Sequence, residues 1–391
     1  MTNFRPGIDR VEYGGAVIGQ EEKEAINRVI DSQGGRRWTV GAEAEAFEKE
    51  LAETAGVRYA VVTNSGSSSL LLAMTALHLP RGSKVIIPAT TFPTAFNVII
   101  QNFHYPVVVD VEMDTFNLDF EQVKKAMKLH PDIAAVLAVD ISGNPVDLIK
   151  LREIVGPNVK IILDNCDGYG SKLNGVFIDH FADVACVSFH AAHIITTGEG
   201  GAVLTNNKQI ADSARKLREW GRASGSDTLT KHPGFPEDYR ERYVYEEIGY
   251  NIKPLELQCA MGRVQLKRLP DFRSRRAHNY EAMSKIFKKY PWFSQLRHIE
   301  NSEPCWMHFP FLVQGMPRGY VMDTLEKANI ETRTVFSGNI LKHPAYKGIE
   351  AIQVGDLHNA EDIMKRGMFI SVHPSLTQEM IDYIDSVLAK L

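Results

Sequence analysis

Cysteine is scarce. The chain has four in 391 residues, Cys166, Cys186, Cys259 and Cys305, scattered and with no C-x-x-C pair. That pattern argues against a disulfide framework or a structural zinc site. It fits a reduced, cytoplasmic setting in which the four act as small buried hydrophobes. No apolar stretch approaches the roughly 20 residues that span a bilayer. The opening "MTNFRPGIDRVEYGG" has no basic start followed by an apolar run, so neither a membrane anchor nor a secretory signal is expected. There is no block of like charge, and the formal net charge is only -4. A dedicated nucleic-acid or anionic-membrane surface is therefore not expected. Internal repeats and low-complexity linkers are absent as well.

What is present is alternation. Strand-length apolar runs, "YAVVT", "KVIIP", "PVVVD", "IAAVLAV", "KIILD", "VACVSF" and "GAVLTN", lie between residues 59 and 206. Helix-period segments at 67–77, 94–101, 120–129 and 148–154 separate them. Runs apolar on both faces suit a mainly parallel sheet buried between helices. The expected fold is a doubly wound α/β domain whose site lies at the carboxyl ends of the strands. After "GYNIKPLELQCAMGRVQLKRL" (249–269) the pattern changes to a charged helix at 270–289, the strand-like "HFPFLV" and "ETRTVF", and helices at 319–328 and 378–391. This predicts a large domain over 1–265 and a smaller α+β domain over 266–391.

Three segments between the strands carry candidate chemistry. "TNSGSSSLLLAM" (63–74) is a strand, a small polar loop and a helix start. Gly66, Ser67 and Ser68 there can aim N–H groups and hydroxyls at an anion, with an ordinary helix cap as the alternative. "IILDNCDGYG" (161–170) ends a buried strand with Asp164, suited to hold a pyridinium N–H or to serve as a turn residue, and Asp167 follows three positions on. "PATTFPTAFN" (88–97) places Phe92 after another strand, to stack on a planar ring or to fill core.

A fourth segment, "VSFHAAHIITTGEGGAV" (187–203), follows them, and the order of the four resembles that of the DegT/DnrJ/EryC1/StrS sugar aminotransferase/dehydratase family. The resemblance covers nearly the whole chain and includes "GYNIKPLELQCAMG" (249–262). It implies an aspartate-aminotransferase-like fold (type I of the pyridoxal-phosphate enzymes). It also implies pyridoxal or pyridoxamine 5′-phosphate (PLP or PMP) as cofactor. By the same resemblance Gly66, Ser67, Ser68 and Ser188 hold the phosphate, Phe92 stacks on the ring, and Asp164 faces its N1. Asp167 stands where most members have Gln, near the 3-hydroxyl. Asn251 matches an Asn that reaches the phosphate of the neighbouring subunit, which implies a homodimer with shared active sites.

The family motif reads roughly S-F-H-P-x-K-N-I-T-T-x-E-G-G. Aligned without gaps, it puts His193 on the lysine, while His190 matches a residue often His in lysine-bearing members and is expected to be structural. Lysine anchors the cofactor and moves protons at its C4′. Histidine forms no stable covalent link there but moves protons near neutral pH. The swap resembles the 3-dehydratases of the family, which act on GDP-4-keto-6-deoxymannose and CDP-4-keto-6-deoxyglucose. "IETRTVFSGNILKH" (330–343) and "HNAEDIMKRGMFISVH" (358–373) resemble them too. The implied reaction is loss of the C3 hydroxyl from a nucleotide-linked 4-keto-6-deoxyhexose, with L-glutamate restoring the amine. Arg333, with Glu331 beside it, is the candidate clamp for a carboxylate or substrate phosphate, with a plain surface arginine as the alternative. The CDP-sugar type carries a [2Fe–2S] cluster after "WGR". Residues 219–251 contain no cysteine, so thiolate ligation is excluded there. The nucleotide is left open. Two other readings stand beside this one: a non-catalytic PLP-fold paralogue, perhaps regulatory, and a nucleotide-sugar aminotransferase, which would need the lysine.

Overall fold

The computed structural model describes residues 4–33 and 38–391. The first three residues of the N-terminal stretch read above lie outside it. The seven apolar runs all form strands: β1 (Tyr59–Thr63), β2 (Lys84–Pro88), β3 (Tyr105–Val109), β4 (Ile133–Val139), β5 (Lys160–Asp164), β6 (Val184–Ser188) and β7 (Gly201–Thr205). They share one sheet in the order β1-β7-β6-β5-β4-β2-β3, extended by the short strand Ile352–Gln353. Their interior positions are buried, as expected for strands covered on both faces. The helices between them, Gly66–Ala76, Pro93–Gln101, Phe120–Leu129 and Leu148–Val155, fall within a residue of the expected positions.

One strand departs from the parallel expectation. β7 is antiparallel to both β1 and β6. The reason is the connection: a parallel return needs a crossover, usually a helix, and residues 189–200 supply only a helix-free loop. Since β7 alone is reversed, the carboxyl ends of β1, β2, β4, β5 and β6 share one edge.

The charged helix expected at 270–289 is part of a longer one, Glu256–Phe287, with Pro270 inside it. At about 1.5 Å per residue it is roughly 48 Å long. The expected domain boundary at 265/266 falls within it. The buried carboxylate of Glu256 accepts N–H bonds from Gly41 (2.7 Å), Glu43 (2.9 Å) and Ala44 (3.1 Å), capping helix Ala42–Ala55 from outside. Beyond Pro270 the helix packs on an antiparallel sheet ordered Phe293–Gln295, His308–Val313, Gly367–Ser371, Arg333–Thr334. Only two residues of the expected strand "ETRTVF" pair in it. The expected small domain is not sequestered from the large sheet: Ile352–Gln353 pairs with β3. Val11, from the N-terminal segment, bridges Ile330.

Candidate active site

A cleft of about 620 Å³ opens at the shared strand edge. Gly66 and Ser67 follow β1, Phe92 follows β2, Asp164 ends β5, Asp167 follows it, and Ser188 ends β6; all line the cleft, with His193 and Arg333. Carboxyl ends of parallel strands are where such sheets place ligands.

The anion-binding corner is built by close packing. Ser65 caps helix Gly66–Ala76, its hydroxyl accepting from the Ser68 N–H at 3.1 Å. The Ser68 hydroxyl donates to Asn64 Oδ1 at 2.6 Å, so Ser68 belongs to the cap and does not line the cleft. Among the described residues, the N–H groups of Gly66 and Ser67 have no partner, which leaves two donors at the positive end of a helix dipole. A Cβ on Gly66 would stand 2.6 Å from Ser188 Cβ, and one on Gly201 2.6 Å from the Ser65 carbonyl. The last glycine of "GEGG" (198–201) is thus the wall against which the loop is pressed. Gly201→Ala should destabilise the fold by about 1–3 kcal/mol and weaken anion binding, read from denaturant midpoints and phosphate titration; an unchanged midpoint would contradict this packing.

Asp164 is 4% exposed and accepts from the Cys166 N–H at 3.2 Å. Burial raises its pKa. Asp167 accepts from the Ser142 N–H at 3.0 Å and is pushed up to about 7, first by burial and then by Asp164. Asp140, at the end of β4, also lines the cleft; its pKa is raised well above the usual range by burial, then by Asp179, Asp164 and Asp167. Burial pushes Asp179 to about 6. These acids favour their protons in the folded state. Their stabilising contribution is full below the ordinary carboxylate range and is lost as pH rises through about 6 to 7. Asp179→Asn keeps an oxygen for the Asn165 amide, now 2.9 Å away, and cannot ionise. Relative to wild type, the melting temperature of this variant without cofactor should rise between about pH 5 and about pH 8. A difference that stays constant over that range would remove the charge argument.

His193 is half-buried. Its Nδ1 is sealed without a partner, whereas Nε2 is not among the buried unpaired atoms. Burial first, then His190 and Arg276, push its pKa down to about 3, so the ring is neutral near pH 7. His190 also lines the cleft, its ring 5.6 Å from that of His193 at 70°. No lysine is among the residues lining the cleft. Phe92 is half exposed and meets Phe336 edge-on at 5.9 Å.

Arg333 projects into the cleft over the Tyr13 ring, 4.5 Å from its centroid. Glu331 stands behind it, outside the cleft lining: it pairs with the Arg333 guanidinium, accepts from the Tyr13 N–H at 3.0 Å and lies 3.2 Å from Arg10. Asn251 is exposed outside the cleft, accepting from Lys253 Nζ at 2.7 Å. Sequence reasoning missed Tyr13, Asp140 and His308 as cleft residues. Only Asp140 carried a readable signal, the same strand-end position as Asp164. Among the described residues, no helix is long and apolar enough to cross a membrane, and no group of three or more His, Cys, Asp or Glu is placed to hold a metal ion.

The family model for DegT/DnrJ/EryC1/StrS aminotransferases matches residues 18–389. The chain belongs to that family. Within it, the chain is 34% identical to the lipopolysaccharide biosynthesis protein RfbH of Salmonella typhimurium, over 98% of this chain and 92% of that one. It is 32% identical to dTDP-4-dehydro-2,6-dideoxy-D-glucose 3-dehydratase of Saccharopolyspora spinosa, over 99% and 87%. Among solved structures, GDP-4-keto-6-deoxymannose-3-dehydratase with a trapped PLP–glutamate geminal diamine superposes with a TM-score of 0.89 at 29% identity, covering 96% of this chain and 99% of that one. The aspartate-aminotransferase-like fold expected from the sequence is therefore the fold of this family member, with β7 reversed in an otherwise parallel set.

Proposed function

We propose that this enzyme removes the C3 hydroxyl of a nucleotide-linked 4-keto-6-deoxyhexose, with PMP as its working cofactor and His193 in place of the family lysine. The observation that carries the reading is a cleft that gathers Gly66, Ser67, Phe92, Asp164, Asp167, Ser188 and His193, with no lysine among its described lining residues. An aminotransferase of this family would need one.

The residues present fit the cofactor: free helix N–H groups and Ser188 for a phosphate, Phe92 for a ring face, and buried Asp164 for a ring N–H. When bound, PMP supplies an amine that condenses with the sugar ketone and a ring that withdraws electrons from the adjoining carbon. Asp164 would hold a protonated ring nitrogen. Neutral His193 would take a proton from C4′ and return one to the departing C3 oxygen, work worth typically 10²–10⁴ in rate. Arg333, fixed by Glu331, grips a carboxylate or phosphate. Asp167, which also lines the cleft, would face the 3-hydroxyl.

In the net balance, the sugar loses its C3 oxygen and glutamate is oxidised to 2-oxoglutarate and ammonia. The PLP–glutamate adduct in a solved relative supports glutamate as the donor. Asn251 would complete the partner's phosphate site in a homodimer. Exposed apolar side chains near it, Tyr243 (49%), Tyr245 (53%) and Ile248 (95%), support such an interface. The test is turnover of GDP-, CDP- and dTDP-linked 4-keto-6-deoxyhexoses with PLP and glutamate, read by product mass and by 2-oxoglutarate formed in step. Turnover that ignores glutamate, or transfer of the amine to the sugar, would overturn the reading.

A further inference from the structure

His308 has a role that the reaction above does not use. It opens strand His308–Val313 and forms part of the cleft wall, yet it is 2% exposed. Neither ring nitrogen has a hydrogen-bond partner or reaches solvent. Its ring lies flat on Phe369, 3.8 Å between centroids at 20°. The Tyr13 ring is 5.8 Å away. A neutral imidazole always carries one donor and one acceptor, and burying both unpaired is costly. Phenylalanine would fill much the same space without that cost.

Two other histidines are tied, whereas buried His104 leaves its Nδ1 unpaired. His373 engages Ser375 Oγ at 2.6 Å and the Gly15 carbonyl at 2.8 Å. His343 engages the Ser337 carbonyl at 2.8 Å. His308 alone of these four has both nitrogens buried and unpaired.

We infer that His308 is a substrate-binding residue: one of its two free nitrogens takes a hydroxyl of the hexose, and Tyr13 is the gate that the sugar turns aside to reach it. This rests on the dehydratase reading. A hydroxyl both donates and accepts, so it satisfies either nitrogen in either tautomer. A carboxylate only accepts, and the cleft already offers Arg333 for an anion. Tyr13 is suited to move. Among the described residues its backbone N–H is held by Glu331 and its side chain makes no hydrogen bond, so ring contacts, with Arg333, Phe369 and His308, hold the ring in place.

The test compares His308→Phe with His308→Gln, since glutamine keeps a donor and an acceptor. Without cofactor, His308→Phe should melt above wild type, because two unpaired polar atoms are gone. With cofactor, its KM for the sugar and its dissociation constant for the nucleotide-sugar product should rise at least about tenfold, and His308→Gln should recover most of the loss. Conversion of PLP to PMP by glutamate, followed by absorbance, should stay within about threefold in both variants. A His308→Phe variant that melts below wild type would mark a structural histidine and overturn the inference, as would unchanged product affinity. Absence of wild-type turnover on any 4-keto-6-deoxyhexose would instead defeat the dehydratase reading, and the melting comparison would still judge His308.

Discussion

His193→Asn should fold, bind PLP and PMP as the wild type does, and lose dehydration by at least about 10². Asparagine occupies similar space and hydrogen-bonds, but it cannot take and return a proton. The wild-type ring is neutral near pH 7, so it can accept a proton, and its Nε2 is not among the buried unpaired atoms. The same site gives a covalent criterion. With no lysine lining the cleft, borohydride should fix no cofactor to the protein. Turnover of the Asn variant within a few-fold of wild type, or a pyridoxyl-lysine peptide after reduction, would show that another group moves the proton. His190→Asn should be the milder change. His190 stands in the same wall but is half exposed, and its Nδ1 accepts only a long bond, 3.3 Å, from the Ala192 N–H.

The second large effect is expected at Asp164. Asp164→Asn removes the only charge the end of β5 offers to a ring nitrogen, while keeping an oxygen for the Cys166 N–H. Loss of one preorganised electrostatic contact in a buried site typically costs about 10²–10³ in kcat, and the loss here should fall in that range. Bound PLP should also absorb as the form with an unprotonated ring nitrogen. Burial raises the Asp164 pKa and so disfavours its charged form relative to an exposed carboxylate. A cationic ring beside it would reverse that preference. Cofactor affinity should therefore carry a pH dependence that the Asn variant lacks. If Asp164→Asn keeps wild-type kcat, the ring nitrogen is held by some other group.

The cleft was legible where a residue's place follows from its own strand. Asp164, Phe92 and the Gly66 loop are each read from an apolar run and the turn that follows it, and parallel strands bring such ends together whatever the remaining sequence does. Helix Phe120–Leu129 falls where its helix period puts it, and in the fold Asp119 caps it, accepting from the Glu121 and Gln122 N–H groups. The direction of β7 was not legible, because an apolar run reads the same in either sense. The helix Glu256–Phe287 was split at Pro270, since proline normally ends a helix; packing along both halves overrides that local preference. Tyr13 and His308 went unseen because nothing near them in sequence marks them. They meet only when the N-terminal segment pairs with Ile330 and the small sheet closes on the cleft.

That long helix also governs how the protein can be taken apart. A fragment ending at residue 265 would cut it in mid-turn. The cut would fall beside Gln265, whose amide donates to the Val17 carbonyl and to Glu22, both at 2.8 Å. The remainder would lose the first turns of the 32-residue rod on which its sheet is mounted. The large sheet would in turn lose its outermost strand, Ile352–Gln353. Neither piece would inherit a complete surface to close upon. The chain should resist dissection into separately folding parts, and limited proteolysis should find no linker to cut around that position.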